Sequence, residues 1–143
     1  RDAGLQLSIF DVGDPAAPKR SATYTFVGGD WGSWSPASWD HHALGWFAKQ
    51  GILALPVQET GWMTDLVVFR IDTSSPDAFT RLGTIEHAGS IDRSVRIGDV
   101  LYAVSPGQVT AHPLTDPAVL LAAADLSPGA AGPIAIDPIV VAF

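Results

Sequence analysis

The chain has no cysteine and no asparagine, and among its 143 residues only one methionine, two lysines and two glutamates. The missing cysteines exclude disulfides, thiolate metal ligands and thiol nucleophiles, and they leave the redox compartment open. Without asparagine, N-linked glycosylation has no acceptor. No apolar run approaches the ~18 residues of a membrane-spanning helix. The tail Pro133–Phe143 is apolar, but it is short and carries Asp137. Positive charge is scarce as well. Eight basic residues against fifteen acidic ones give a net charge of −7, so no nucleic-acid partner is expected. What remains is 47% hydrophobic and 16% charged, with a mean hydropathy of +0.22, which excludes a disordered chain. The length suits one domain that buries roughly two-thirds of its extended-chain surface.

The acidic residues point away from helix. Thirteen of the fifteen are Asp, whose short carboxylate bonds its own backbone in turns; Glu59 and Glu86 are the two better helix formers. Fourteen Gly and eleven Pro punctuate the chain further. It starts at Arg1 with no visible signal peptide and reads as a processed or excised product.

Three segments share one design. Leu7–Pro15 is followed by Lys19–Val27, Leu66–Asp72 by Thr80–Glu86, and Gln108–Pro117 by Val119–Leu126. Each is an alternating strand, a turn rich in Asp, Pro or Ser, and a second strand, the pattern of a hairpin. Between them lie other strand pairs: His42–Phe47 with Ile52–Val57, and Ser94–Ile97 with Val100–Ser105 around Gly98-Asp99. Aligning Val12, Ile71 and Leu114 gives spacings of 59 and 43 residues. The second fits the period of about 40–45 residues of a four-stranded propeller blade. The first is longer because residues 28–40 are inserted. The run Ala118–Ala124 has helical composition, but its place in the repeat argues for strand.

The expected fold is therefore all-β, with about ten strands in about two and a half four-stranded antiparallel blades. The chain divides into an outer hairpin (1–27), an inserted loop (28–41), a second blade (42–87), a third blade (88–126) and a tail or closing strand (127–143). A β-sandwich is the alternative. Closed propellers use about four to eight blades. The remainder of a longer chain or further copies would have to complete the ring, because open blade faces are assembly surfaces.

The stretches LSIFDVGDPAAP, DHHALGWFAKQGILALPV, VVFRID through GTIEH, and DRSVRIGDVLYAVS together span about residues 5–114. In that combination the chain resembles the secreted β-propeller domain family of bacteria and archaea. The resemblance implies the C-terminal part of an exported protein of several hundred residues, secreted, periplasmic or at the cell surface. It implies no particular reaction.

Catalytic signatures are absent: there is no nucleophile elbow, H-E-x-x-H, calcium loop, Walker A or G-x-G-x-x-G. The segment Gly28–Asp40 is the exception to an otherwise bland chain, with Trp31, Trp34 and Trp39 spaced by Gly, Ser and Pro. Such indoles could form a platform for a sugar ring or a partner's apolar side chains. Because Trp is usually largely buried, capping of the core or packing on the next blade is the more expected role.

Asp40-His41-His42 has metal-ligand chemistry, but in a strand adjacent side chains point to opposite faces. No metal and no cofactor is expected there. Asp92-Arg93-Ser94 recurs at the matching place in the next blade, which suits a polar tie between inner strands. His42 and Arg93 would then approach the central channel. Asp11, Asp14, Asp72 and Asp116 are explained as turn formers without calcium. Glu86-His87 and His112 read as ordinary strand-end and strand residues.

The reading is a binding or scaffolding module for a carbohydrate or protein ligand, with Trp31, Trp34, Trp39, His42 and Arg93 as candidate contacts. The alternative is an enzyme cleaving polysaccharide or peptide at the channel, with Asp30, Asp40 and Asp92 as candidate acids.

Overall fold

The computed structural model describes residues 4–128. Ten strands are found there: β1 (Gln6–Asp11), β2 (Lys19–Thr25), β3 (Gly45–Phe47), β4 (Ile52–Val57), β5 (Asp65–Ile71), β6 (Phe79–Ile85), β7 (Arg93–Ile97), β8 (Val100–Ser105), β9 (Gln108–Pro113) and β10 (Ala122–Asp125). Strands β1 and β2 pair as a hairpin, while β3–β6 and β7–β10 form two four-stranded antiparallel sheets in sequence order. Helix is limited to two single 3-10 turns, Pro36–Ser38 and His41–Ala43. Among the described residues no helix is long and apolar enough to cross a membrane. Most of the segment expected as a tail or closing strand lies outside the described residues.

The middle sheet is buried on both faces, and strand periodicity explains how. Successive side chains point to opposite sides, so a fully apolar run serves two cores at once. From β4, Ile52 and Ala54 enter a cluster with Ile85, Ile91, Leu101, Ala103 and Leu114, toward the third sheet. Their neighbours Leu53, Leu55 and Val57 enter the other cluster, with Phe26 and the partly buried Leu5, Leu7 and Tyr24 of the first hairpin. Strand β5 repeats the division, Leu66 and Val68 on one side, Val67 and Phe69 on the other.

Phe69 is the hub of the second cluster. Its ring meets Tyr24 at 4.7 Å, Phe26 at 5.8 Å and Phe79 at 6.1 Å, all edge to face. This geometry sets the positive ring edge against the negative face. The rings therefore fasten the hairpin to the sheet.

Turn chemistry follows the Asp-rich composition. Asp11 accepts the Gly13 amide at 2.9 Å, Asp14 that of Ala16 at 3.0 Å, and Asp72 that of Ser74 at 2.9 Å. The Ser74 hydroxyl and amide hold the Asp72 carboxyl below the usual carboxylate range.

Two expected strands are shorter than the sequence pattern. His42–Phe47 is strand only from Gly45, because Asp40 caps a 3-10 turn through the His42 amide, 3.0 Å away. Val119–Leu126 is strand only over Ala122–Asp125. The Val119 amide is turned back onto the Asp116 carbonyl at 3.2 Å, so the chain joins β9 late.

Replacing Phe69 by Ala should cost about 3–5 kcal/mol, since it empties a fully buried ring position. Urea denaturation measures the loss, and the β1–β2 hairpin should become the first site of proteolysis.

Candidate functional site

Strand β3 pairs with only Ile52–Ala54, so the second half of β4 is left with an open edge. Pro56 stands on that edge, where its missing N–H costs no ladder bond. The inserted segment fills the gap. Trp34 donates its amide to the Gln58 carbonyl at 3.2 Å and receives the Gln58 amide at 2.8 Å. Ser35 Oγ donates to the Pro56 carbonyl and takes the Ala37 amide at 3.1 Å, which also starts the first 3-10 turn. The insertion thus extends the sheet.

That pairing decides where the indoles go. Along Ser33-Trp34-Ser35 the two small hydroxyl side chains are buried and the indole points outward. Ser33 Oγ accepts the Leu5 amide at 2.7 Å and donates to the Phe26 carbonyl at 3.3 Å, tying the loop to the first hairpin. Gly28 has no room for a Cβ because the backbone of Gly32 passes against it, and Gly32 itself has φ +77°. The expectation that these Trp cap the core is therefore overturned. Trp31 is 85% exposed, Trp39 71% and Trp34 42%, because Ser33 and Ser35 take the interior positions.

A fourth indole joins them from the β4–β5 connection: Trp62 is 82% exposed. The Gly29 amide donates to the Glu59 carbonyl at 3.0 Å, holding the two loops together. Trp31 and Trp62 line a cleft of about 270 Å³ together with Asp30, Gln58 and Thr60. Trp34 and Trp39 stack beside it, 5.6 Å between centroids at 24°. Gln58 is 7% exposed; its Nε2 donates to the Gly61 carbonyl at 2.6 Å, and its Oε1 has no partner among the described residues.

Acidic groups crowd this end of the sheet. Arg81 grips Glu59 with two bonds of 3.0 and 2.6 Å. Burial first, then the carboxylates of Glu86 and Glu59, raise the Asp65 carboxyl above its ordinary value.

His42 and Arg93 form a separate group. The His41–Ala43 turn packs against β7, where Arg93 stands, and the Arg93 charge assists the His42 amide in lowering Asp40. The turn also overturns the strand argument about the two histidines: their rings lie 3.9 Å apart, and Asp40, His41 and His42 offer ligand atoms within 4.8 Å of one another.

Sequence reasoning missed Trp62 and Gln58, although a Gly-Trp pair in a connection between two apolar strands was a usable signal. It also missed a buried polar chain. His87 Nδ1 lies 2.8 Å from Ser105 Oγ, its Nε2 lies 2.8 Å from Thr110 Oγ1, and His112 Nε2 meets the same Thr110 hydroxyl at 2.9 Å. Ser105 Oγ donates on to the Gln108 carbonyl at 3.2 Å, which orients the chain so that His87 donates to Ser105, Thr110 to His87 and His112 to Thr110. Ser105 borders a larger cavity of about 580 Å³, whose lining has no aromatic among the described residues and whose Asp125 carboxylate bonds the Ser127 amide. The indole-walled cleft is the better candidate.

The comparisons agree with this architecture. The Beta propeller domain family model matches residues 1–116. The chain belongs to this β-propeller family. An uncharacterized protein of Archaeoglobus fulgidus is 24% identical over 111 residues, 78% of this chain and 16% of that protein. The chain thus spans about a sixth of that relative's length. No solved structure matches the chain. Among the described residues it comprises a two-stranded half blade and two four-stranded blades, which do not close a ring. Val95 and Ile97 of the third blade are exposed.

Two outcomes are expected. Ser35→Ala should cost about 1–3 kcal/mol in urea denaturation, because it strands the buried Pro56 carbonyl and removes the turn cap. Burial lowers both His87 and His112 below 6.5, with the His112 charge adding to the effect on His87. Their contribution to stability is therefore complete above 6.5 and is lost as pH falls through the lowered values. The urea midpoint should fall as pH is taken below about 6.5, and a His87→Gln, His112→Gln double variant should flatten that fall.

Proposed function

We propose that this propeller portion is a binding module whose contact surface is the indole-bearing edge of the middle blade. One observation carries the reading: Trp31, Trp34, Trp39 and Trp62 are exposed on two loops bonded to each other and to the edge of β4. Exposed indoles on a floppy loop would lose much of their contact energy to ordering; here the sheet has already ordered their backbone. Trp combines large apolar area with a polar N–H, which suits a carbohydrate or protein ligand.

Further blades, from the remainder of a longer parent chain or from other copies, would cover the open face at Val95 and Ile97. The family resemblance supports an exported setting, secreted, periplasmic or at the cell surface.

Trp31→Ala and Trp62→Ala should each change stability by less than about 0.5 kcal/mol, as exposed positions do. The same variants should weaken, by at least about tenfold, any ligand selected by the parent chain from panels of soluble glycans and peptides. Trp46→Ala, on β3 and outside the cleft lining, should leave that affinity unchanged. Strong destabilisation by Trp31→Ala with binding intact would contradict the reading.

A further inference from the structure

The cleft lined by Trp31 and Trp62 has a chemical bias toward cations. Its one charged lining residue is Asp30, which is exposed and forms no ion pair among the described residues. Among the described residues no lysine or arginine lines it. The nearby cation, Arg81, is committed to Glu59 by two bonds. Gln58 sharpens the bias, because its amide donor is used on the Gly61 carbonyl while its amide oxygen is buried and unpartnered. A buried acceptor without a donor costs about 1–3 kcal/mol, and an incoming N–H group would relieve that cost. The lining includes two indoles, whose faces attract cations most strongly among the aromatic side chains. At about 270 Å³ the cleft admits one small group, since sites for drug-sized ligands run from about 300 to 1,000 Å³.

We propose that this cleft is a subsite for a cationic N–H group, the guanidinium or ammonium end of a basic side chain on a protein ligand. The proposal rests on the reading of this edge as a binding surface and names what one part of it selects. The cation rests against the Trp31 and Trp62 indoles, donates to Gln58 Oε1 and is drawn by the Asp30 carboxylate. The acids Glu59, Asp65 and Glu86 at the same end of the blade outnumber Arg81 and add an attractive field, as does the net charge of −7.

The test follows the five indole N–H signals of the full 143-residue chain by nuclear magnetic resonance, assigned through single Trp→Phe variants. The probe is N-acetylargininamide, with its neutral citrulline counterpart, tetramethylammonium and cellobiose as controls. Argininamide should shift the Trp31 and Trp62 signals saturably and leave Trp46 in place. Citrulline lacks the charge and tetramethylammonium lacks the N–H donor, so each should bind at least about fivefold more weakly. Asp30→Asn, an isosteric change at an exposed site, should weaken argininamide by about two- to fivefold, and added salt should do the same. Equal response to citrulline, or an unchanged affinity in Asp30→Asn, would overturn the cation assignment. Cellobiose shifting Trp31 and Trp62 where argininamide does not would also overturn it, while leaving the edge a binding surface. Silence from all four probes would overturn both.

Discussion

Burial of β4 and β5 on both faces is the constraint from which the other features follow. Nine residues of Ile52–Val57 and Leu66–Phe69 divide between two separate cores, so neither strand can shift by one residue without exchanging its faces. Both cores accept apolar side chains, yet their shapes differ. One is aliphatic and faces the third sheet, while the other is built around the rings of Phe26 and Phe69 and faces the first hairpin. Register is therefore set by fit as well as by polarity. A sheet held this firmly can carry an irregular edge, and the three-residue β3 supplies one.

The binding surface grows from that irregularity. Where β3 stops, the backbone of Pro56, Val57 and Gln58 would be left open, and an open edge invites pairing with other chains. The insertion closes it through Trp34 and Ser35, and the strand-like alternation of this short stretch turns serine inward and tryptophan outward. The same Gln58 that ends the bridge also reaches the Trp31–Trp62 cleft. Sheet edge, loop anchor and cleft lining thus meet at one residue. The acidic character of the surface comes from the same end of β4 and β5, through Glu59 and Asp65.

Much of this was legible in the sequence because it depends on local rules. The runs ILALPV and LVVF announce strands, and their lack of polar positions already implies two buried faces. Asp-rich punctuation marked the hairpin turns, and the repeat of strand pairs carried the blade arrangement. What was not legible depends on partners distant in the chain. The exposure of Trp31 and Trp34 follows from the bonds of Gly29 to Glu59 and of Trp34 to Gln58, 30 and 24 residues on, and burial statistics for Trp point the other way. The turn at His41–Ala43 hid inside a strand-like pattern because one Asp cap outweighs it. The His87–Thr110–His112 chain joins one histidine to two residues of β9 more than twenty positions on, none of which is unusual alone.

The claim that most of this depends on is that the indole-bearing loop is part of the middle sheet rather than an appendage. Native-state hydrogen exchange, read residue by residue, tests it most directly. The account predicts that the amides of Trp34 and Gln58, which bond each other across the edge of β4, exchange in the slow class of β4 and β5. Exchange of those two amides at the rate of exposed turns, with β4 and β5 still protected, would contradict it.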